Sequence, residues 1–547
     1  MRSGREGNSS RSPLPFGNER YRNTDMQNGP VLHESSASHR IYSPPANPAA
    51  RFFRNHWEIL LLLVLAAIVL LPGLSSHPLV SWDEAIYAEI SKEFLIMHSW
   101  LVPHWNYQPW MEKPPLFLWV TAVFFKVFGI SEFWARAASA FSGIGVVAVT
   151  YYCARELKDS RLGWVAAFLL LTMRGFLQMA SNGKTDMMLT LWMFVGLYGI
   201  LLLTKGRRAG WYLFWCGSAL AIMTKSAAVA PVFVTLAVLV IVRRDLFGVV
   251  SKQFFFGLAL FVLIVAPWHI YMISHFGGAF VDQYLGRHVL ERSMSSLEDN
   301  HESVLYYPIL LLKWAFPWIL IVPIGYWFAV RQKSLNVFHY FALVLFLFYT
   351  LVQTKLAHYM EPIYPALAIV AAVPIYQWIR SWRMARVLLA GFAMALLAGL
   401  VALPILENHI AAGYGSPVVD LIRANPVPGY DGPLLLCSDR VMITMAAPLF
   451  YAPSKTEQTY IDSKPMKTDS VAIDPKTMDK KYWNPVPLLL AVNSTADLIV
   501  ISKELLPHLP GTLSFRPIAE TSEYELGMLA KSERKPMTNV KHAASGR

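Results

Sequence analysis

The sequence predicts an all-α polytopic membrane protein with about 11 or more transmembrane helices and a small α/β domain at its C-terminal end. Three observations carry this. Of 547 residues, 55% are apolar and only 15% charged, where a soluble chain carries about a quarter charged; mean hydropathy is +0.38. Apolar runs close to the ~20 residues that cross a bilayer recur from Trp57 to about Pro404. Lysine and arginine collect in alternate connections between those runs, which is the charge asymmetry of a multi-pass membrane protein. With 18 Trp, 24 Tyr and 31 Phe, the composition excludes a disordered chain, a fibre or an ordinary cytosolic enzyme.

Residues 1–50 are rich in Ser, Asn, Pro and Arg without apolar periodicity and read as a disordered cytoplasmic tail. The first apolar run begins near Trp57, behind Arg51 and Arg54, and reads as a retained signal anchor rather than a cleaved signal. Residues 51–404 form the membrane domain. Spans are expected near 57–74, 133–153, 162–181, 187–203, 211–224, 228–242, 254–274, 306–329, 336–352, 360–379 and 385–404. With the N-terminus inside, Arg155/Lys158/Arg161, Lys205/Arg207/Arg208, Arg243/Arg244, Arg331/Lys333 and Arg380/Arg383/Arg386 all fall on the cytoplasmic face. The run Leu116–Phe128 is short, follows Pro114-Pro115 and contains Lys126, so it is expected beside the membrane or re-entrant. Residues 405–547 carry no further span and are expected outside as a mixed α/β domain, with strands near Leu434–Cys437, Ala496–Ser502 and Tyr524–Ala530. No internal repeat is visible. Cys153, Cys216 and Cys437 lie far apart and imply neither a disulfide framework nor a zinc site. The net charge of +12 follows from the membrane topology and calls for no nucleic acid.

The other face carries mixed acidic, basic and aromatic segments, among them Asp83-Glu84, Glu112-Lys113-Pro114-Pro115, Lys184-Thr185-Asp186, Thr224-Lys225 and Lys355 through Tyr359. Such groups beside a bilayer suit a substrate with an apolar tail in lipid and a polar head at the interface. Each has a bland reading as well. Ser81 with Glu84 has the capping-box spacing, Asp186 stands where an N-cap is expected, and single lysines can anchor at an interface. Capping explains Glu84 well and leaves Asp83 unused, so a carboxylate accepting a proton from an attacking hydroxyl stays as the alternative. Lys113, Lys184, Lys225 and Lys355 together run against the positive-inside bias, and an anionic ligand is the simplest reason to gather them. The loop 275–305 adds Arg287, His288, Glu291 and Arg292; His288 with Glu112 could hold a divalent cation, though two ligands define no site.

In this order the segments resemble the ArnT/protein-O-mannosyltransferase group of membrane glycosyltransferases. The resemblance rests on Asp83 through Glu89, Val102-Pro103-His104, Glu112 through Leu116, Ser131-Glu132-Phe133 with Arg136, and Thr185-Asp186-Met187. It continues through Leu220 to Lys225, Pro267-Trp268, His288 to Arg292, and Lys355-Leu356 with Tyr359 and Pro362. It covers roughly 57–380. The chain departs from the group's pattern at Ser226-Ala227, Ala357-His358 and Met187-Met188.

The resemblance implies the GT-C fold and, in the bacterial inner membrane, transfer of a sugar from a polyprenyl-phosphate donor on the periplasmic side. The acceptor would be lipid A, another envelope glycan or a protein, and a single displacement would invert the anomeric carbon. Carried over by position, Asp83 is the catalytic carboxylate. Glu84, Glu112, Lys113, Asp186, Lys225, Arg287, Arg292, Lys355 and Tyr359 are substrate-binding. No cofactor is required, although a divalent cation is compatible; no Gly-rich phosphate loop is present. A polytopic transporter and a non-catalytic protein that binds lipid-linked sugar are the alternatives. The first would show related halves with polar groups at the bilayer midplane; the second would bind polyprenyl phosphate without releasing product.

Overall fold

The computed structural model describes residues 48–79, 83–243, 251–284, 286, 303–352, 355–379, 387, 391, 417–427, 434–437, 450–451, 458–461, 497–503, 506–509 and 511–531. The expected tail, most of the loop 275–305 with Arg287, His288 and Arg292, and the expected span 385–404 therefore lie almost wholly outside the described residues.

Helix α1 (Pro48–Leu70) is followed by α2 (Asp83–Ile96), a two-stranded hairpin of β1 (His104–Trp105) and β2 (Gln108–Pro109), and α3 (Leu116–Phe128). Next come α4 (Glu132–Leu157), α5 (Ser160–Leu171), α6 (Arg174–Ala180), α7 (Thr185–Thr204), α8 (Gly210–Lys225), α9 (Ala230–Val242) and α10 (Lys252–Phe276). The helical part closes with α11 (Gly278–Val281), α12 (Tyr306–Trp314), α13 (Val322–Arg331), α14 (Val337–Leu351) and α15 (Ile363–Trp378).

Sequence alone drew the spans too straight. The expected span 162–181 is two helices bent by 72°, and the span 306–329 is bent by 118° between Trp314 and Trp318. Pro317 and Pro323 lack the N–H that would continue a helix there. The two bends meet, Trp318 Nε1 donating to Thr172 Oγ1 at 2.8 Å. By length and apolarity four described helical runs can cross a bilayer, or six if each bent pair is one span; the runs Trp57–Leu70, Leu116–Phe128, Val337–Leu351 and Ile363–Trp378 are shorter.

The helical run Gly210–Val242 has 33 residues but doubles back where Ser226 adopts φ 44°. Phe233 of α9 lies 5.4 Å from Phe214 of α8. Arg243, just past α9, donates to the Thr204 carbonyl at the end of α7. α8 and α9 thus lie side by side as two antiparallel helices. The helices α7 and α8 approach closely because small residues meet: a Cβ on Gly217 would lie 2.6 Å from the Gly196 nitrogen, and one on Gly199 2.5 Å from the Gly210 carbonyl.

Two ends follow from these contacts. At the basic end, Tyr151 donates to Glu58 at 2.9 Å, Lys205 and Arg207 pair with Glu156, and Tyr376 donates to Asp159 at 2.5 Å. At the other end lie the starts of α2, α4 and α7 and the end of α8. α3 does not cross between them. Its first turn packs Phe117 on Tyr87, ring centroids 6.1 Å apart, and its last residue Phe128 stacks on Trp134 at 4.2 Å, near the start of α4.

On the same end as α2 sits a mixed sheet of β3 (Leu434–Cys437), β4 (Gln458–Ile461), β5 (Asp497–Ser502), β6 (Leu513–Glu520) and β7 (Tyr524–Lys531), in the order β4-β3-β5-β7-β6. β3 runs parallel to β4 and β5, and β7 pairs antiparallel with β5 and β6. Strand β5 is buried along its length, as the apolar run Leu498–Ile501 requires for a central strand covered on both faces. Val419 and Phe450 pack with Leu79, Ala85, Ala88 and Phe125, and Lys92 donates to the Phe450 carbonyl at 3.2 Å.

Inside α2, Glu89, Lys92 and Glu93 are all buried. Burial and the neighbouring Glu89 push the Glu93 carboxyl up to about 8, although Tyr107 N–H donates to it at 3.0 Å. The folded protein keeps this proton above the ordinary carboxylate range, where the unfolded chain releases it. Glu93 therefore contributes stability at low pH that is lost as pH rises from about 4.5 to about 8. Thermal unfolding in detergent across that window should show a shallower fall for Glu93→Gln than for the wild type. Parallel curves would mean that Glu93 is ionised throughout.

Candidate functional site

Arg136, on the second turn of α4 and fully buried, organises the mixed end. Its Nε and Nη2 grip the two Glu84 oxygens at 2.8 and 2.9 Å. Its remaining donors bind the carbonyls of Leu74 (2.7 Å), His77 (3.0 Å) and Pro78 (3.0 Å). Glu84 also accepts the Gly183 N–H at 2.8 Å. One guanidinium thus ties α4, the start of α2, the segment leading into it and the turn before α7. Glu84, expected to bind substrate, has both oxygens bonded to Arg136 and Gly183 and is 2% exposed. Its neighbours are what the clamp presents, Asp83 on one side and Lys184 on the other.

Asp83 accepts from Tyr87 Oη at 3.1 Å, one turn along α2, and lies 3.7 Å from Lys113 Nζ. Lys113 in turn bonds Tyr87 Oη and stands 4.6 Å from that ring's centre. The pair is not sealed, with side-chain exposures of 24% for Asp83 and 12% for Lys113. Burial alone would raise the Asp83 carboxyl, but the ammonium groups of Lys113, Lys184 and Lys225 hold it well below the usual carboxylate range.

A second pair adjoins it. Asp186 on the first turn of α7 is bonded to Lys225, the last residue of α8, and Lys225 stands 5.9 Å from the Tyr359 ring centre. Tyr359 stacks on Tyr349 at 4.9 Å. Ser139 Oγ on α4 donates to the Lys184 carbonyl at 2.8 Å, which fixes the turn entering α7. Burial pulls the His358 imidazole down to about 3, so the ring is neutral at physiological pH.

Of the residues expected in the site, Asp83, Lys113, Asp186, Lys225 and Tyr359 therefore come together. Glu112 is half-buried beside Lys113. Lys355 is 8% exposed and donates to the Val352 carbonyl just past α14, at 3.0 Å; among the described residues no contact joins it to the cluster. Arg287, His288 and Arg292 lie outside the described residues. Among the described residues no three His, Cys, Asp or Glu side chains are placed to hold a metal ion. Arg136 was legible only through the resemblance, since a single arginine in an apolar run carries no role by itself. His358 and Glu361 were missed, although an ionisable residue at the mouth of a membrane span is a signal in its own right.

The family model described as "Dolichyl-phosphate-mannose-protein mannosyltransferase" matches residues 112–271. An undecaprenyl phosphate-alpha-4-amino-4-deoxy-L-arabinose arabinosyl transferase 1 of Pseudomonas fluorescens is 28% identical over 364 residues, covering 64% of this chain and 65% of the relative. The corresponding transferase of Pectobacterium carotovorum is 28% identical over 326 residues, covering 57% of this chain and 58% of the relative. The chain thus spans somewhat under two thirds of the length of these relatives. The crystal structure of ArnT from Cupriavidus metallidurans bound to undecaprenyl phosphate superposes with a TM-score of 0.67 at 22% identity, covering 86% of this chain and 98% of that one. The chain is ArnT-like in sequence, and its fold is the GT-C fold.

Replacing Arg136 by Met should unfold or strongly destabilise the protein, by about 3–5 kcal/mol, because it strands the Glu84 carboxylate in a buried site. Changing Lys355 to Met at the periphery should cost far less. Equal melting temperatures for the Arg136 variant and the wild type would contradict the clamp.

Proposed function

We propose that the protein is a membrane glycosyltransferase that moves a sugar from a polyprenyl-phosphate donor to a lipid A, envelope-glycan or protein acceptor on the periplasmic side of the bacterial inner membrane. The basic end would face the cytoplasm, together with the N-terminus, and the C-terminal sheet would lie in the periplasm. The observation that carries this reading is the convergence of Asp83 and Lys113, 3.7 Å apart, with Asp186–Lys225 at the end where the membrane helices meet α2. The relatives named for undecaprenyl-phosphate sugars support the donor class.

The donor's prenyl tail would lie in lipid and its phosphate against Lys113. In the resting protein Asp83 is a weak base, because the lysines around it stabilise its charge. An anionic phosphate takes over part of that cationic field and raises the basicity of Asp83. Donor binding thereby prepares the base for the acceptor. The acceptor hydroxyl gives its proton to Asp83 as its oxygen bonds to the anomeric carbon. The bond from that carbon to the phosphate oxygen breaks, and the electron pair leaves with polyprenyl phosphate, whose charge Lys113 stabilises. One displacement inverts the carbon. No metal is needed for these steps.

With purified protein and polyprenyl-phosphate sugars, Asp83→Asn should lower transfer ~100-fold or more while melting like the wild type. Lys113→Ala should raise the donor KM as well as lower kcat. Near-normal transfer by Asp83→Asn would remove the base, and an unchanged donor KM in Lys113→Ala would remove the phosphate contact. Donor binding without release of free polyprenyl phosphate, with every acceptor class offered, would make the protein a binding protein instead.

A further inference from the structure

Beside Glu89, Glu93, Glu112 and Glu132, the mixed end holds Asp83, Glu84, Asp186 and Glu361, and of these last four three have a cation of their own: Glu84 has Arg136, Asp83 has Lys113 and Asp186 has Lys225. Glu361 is the exception. It is 2% exposed, forms no salt bridge among the described residues, and its Oε2 has no hydrogen-bond partner among them. Its backbone is fixed, the N–H donating to the His358 carbonyl at 3.2 Å and its carbonyl accepting from Tyr364 N at 3.2 Å. The turn before α15 thus holds a buried acid within electrostatic reach of Asp186, Lys225 and Lys184.

The groups around it come from several elements. The turn before α7 contributes Lys184, α7 Asp186, and α8 Lys225. Its own turn contributes His358 and Tyr359, and α15 Tyr364, whose hydroxyl also has no partner among the described residues. Beyond Tyr364 stands Tyr306 of α12, and Gly175 of α6 abuts the Tyr364 hydroxyl. Ionising a carboxyl in this setting would bury a second negative charge near Asp186 without a cation of its own, which is more costly than keeping the proton. Its carboxyl is accordingly displaced well above the usual range, first by burial and then by Asp186.

We propose that Glu361 is a positioning residue for the donor site, acting through the Asp186–Lys225 pair and setting the net charge that a polyprenyl phosphodiester meets. The inference rests on the donor class proposed above. With the proton on Glu361 and His358 neutral, Lys113, Lys184 and Lys225 face two ionised acids, Asp83 and Asp186. Of these, Lys184, Lys225 and Asp186 are the charged groups that act on Glu361, and together they carry one positive charge in excess, which matches the single negative charge of a phosphodiester. Loss of the Glu361 proton cancels that excess. As pH rises through the Glu361 value, the donor site loses its attraction for phosphate, so the effect belongs in donor affinity rather than in kcat at saturating donor.

The test measures binding of a short-chain prenyl methyl phosphodiester, whose own charge is constant over the range, to the full-length protein from pH 6 to pH 10. Wild-type affinity should fall on the alkaline side by ~10-fold more than that of Glu361→Gln, and Glu361→Asp should keep the fall. Superimposable wild-type and Glu361→Gln profiles would overturn the proposal, because a merely structural Glu361 predicts that result. Infrared spectroscopy provides a readout that needs no transfer. The resting protein should show the carbonyl stretch of a protonated carboxylic acid that Glu361→Gln lacks, and spectra identical in that region would also overturn it. If no sugar is transferred to any acceptor, the functional reading fails, while the infrared band still decides the state of Glu361.

Discussion

The Arg136–Glu84 contact is the constraint on which the site depends. A buried guanidinium and a buried carboxylate are each costly alone, and together they are tolerable only if nearly every donor and acceptor is used. Here Arg136 spends its donors on Glu84 and on three carbonyls of the segment before α2, and Glu84 takes the Gly183 amide besides. This fixes the relative placement of α2, α4 and the entry to α7. Asp83 and Lys184 flank the clamp in sequence, so they inherit its position. The pairing of Asp186 with Lys225 then follows from glycine-mediated contact between α7 and α8, which brings the start of one helix to the end of the other.

Electrostatics at this end run against the usual membrane asymmetry. Lys113, Lys184 and Lys225 gather around Asp83, although the opposite end already carries the basic loops. That gathering accounts for both features of Asp83: a carboxylate held firmly ionised, and a base whose strength depends on what the lysines are doing. The site is pre-organised by charge as much as by shape. Residues of the C-terminal part outside the sheet, Val419 and Phe450, pack against the same helix, α2. That part of the chain thus borders the site.

The sequence made the topology legible where physics leaves a periodic or charge-based trace. Basic loops separated the two ends, and Lys126 with Pro114-Pro115 marked α3 as a helix that does not cross. The apolar runs Leu434–Cys437, Ala496–Ser502 and Tyr524–Ala530 mark three of the strands, β3, β5 and β7. Bends were not legible: hydropathy is blind to direction, so the breaks near Thr172 and Trp318 were hidden inside apolar windows. Asp83 and Lys113 could be singled out as chemistry in waiting, but not as neighbours, because 29 intervening residues fold through a hairpin that no local rule predicts. Glu84 shows the converse. Its residue type fits a ligand-binding role, and only tertiary contacts reveal that a buried arginine has consumed it.

The most direct measurement is an experimental structure of the protein with undecaprenyl phosphate bound. The account requires the phosphate within hydrogen-bond reach of Lys113 Nζ, in the same pocket as Asp83 and on the side of the membrane that holds the C-terminal sheet. A phosphate seated instead among Arg155, Lys158 and Lys205 at the basic end would contradict it.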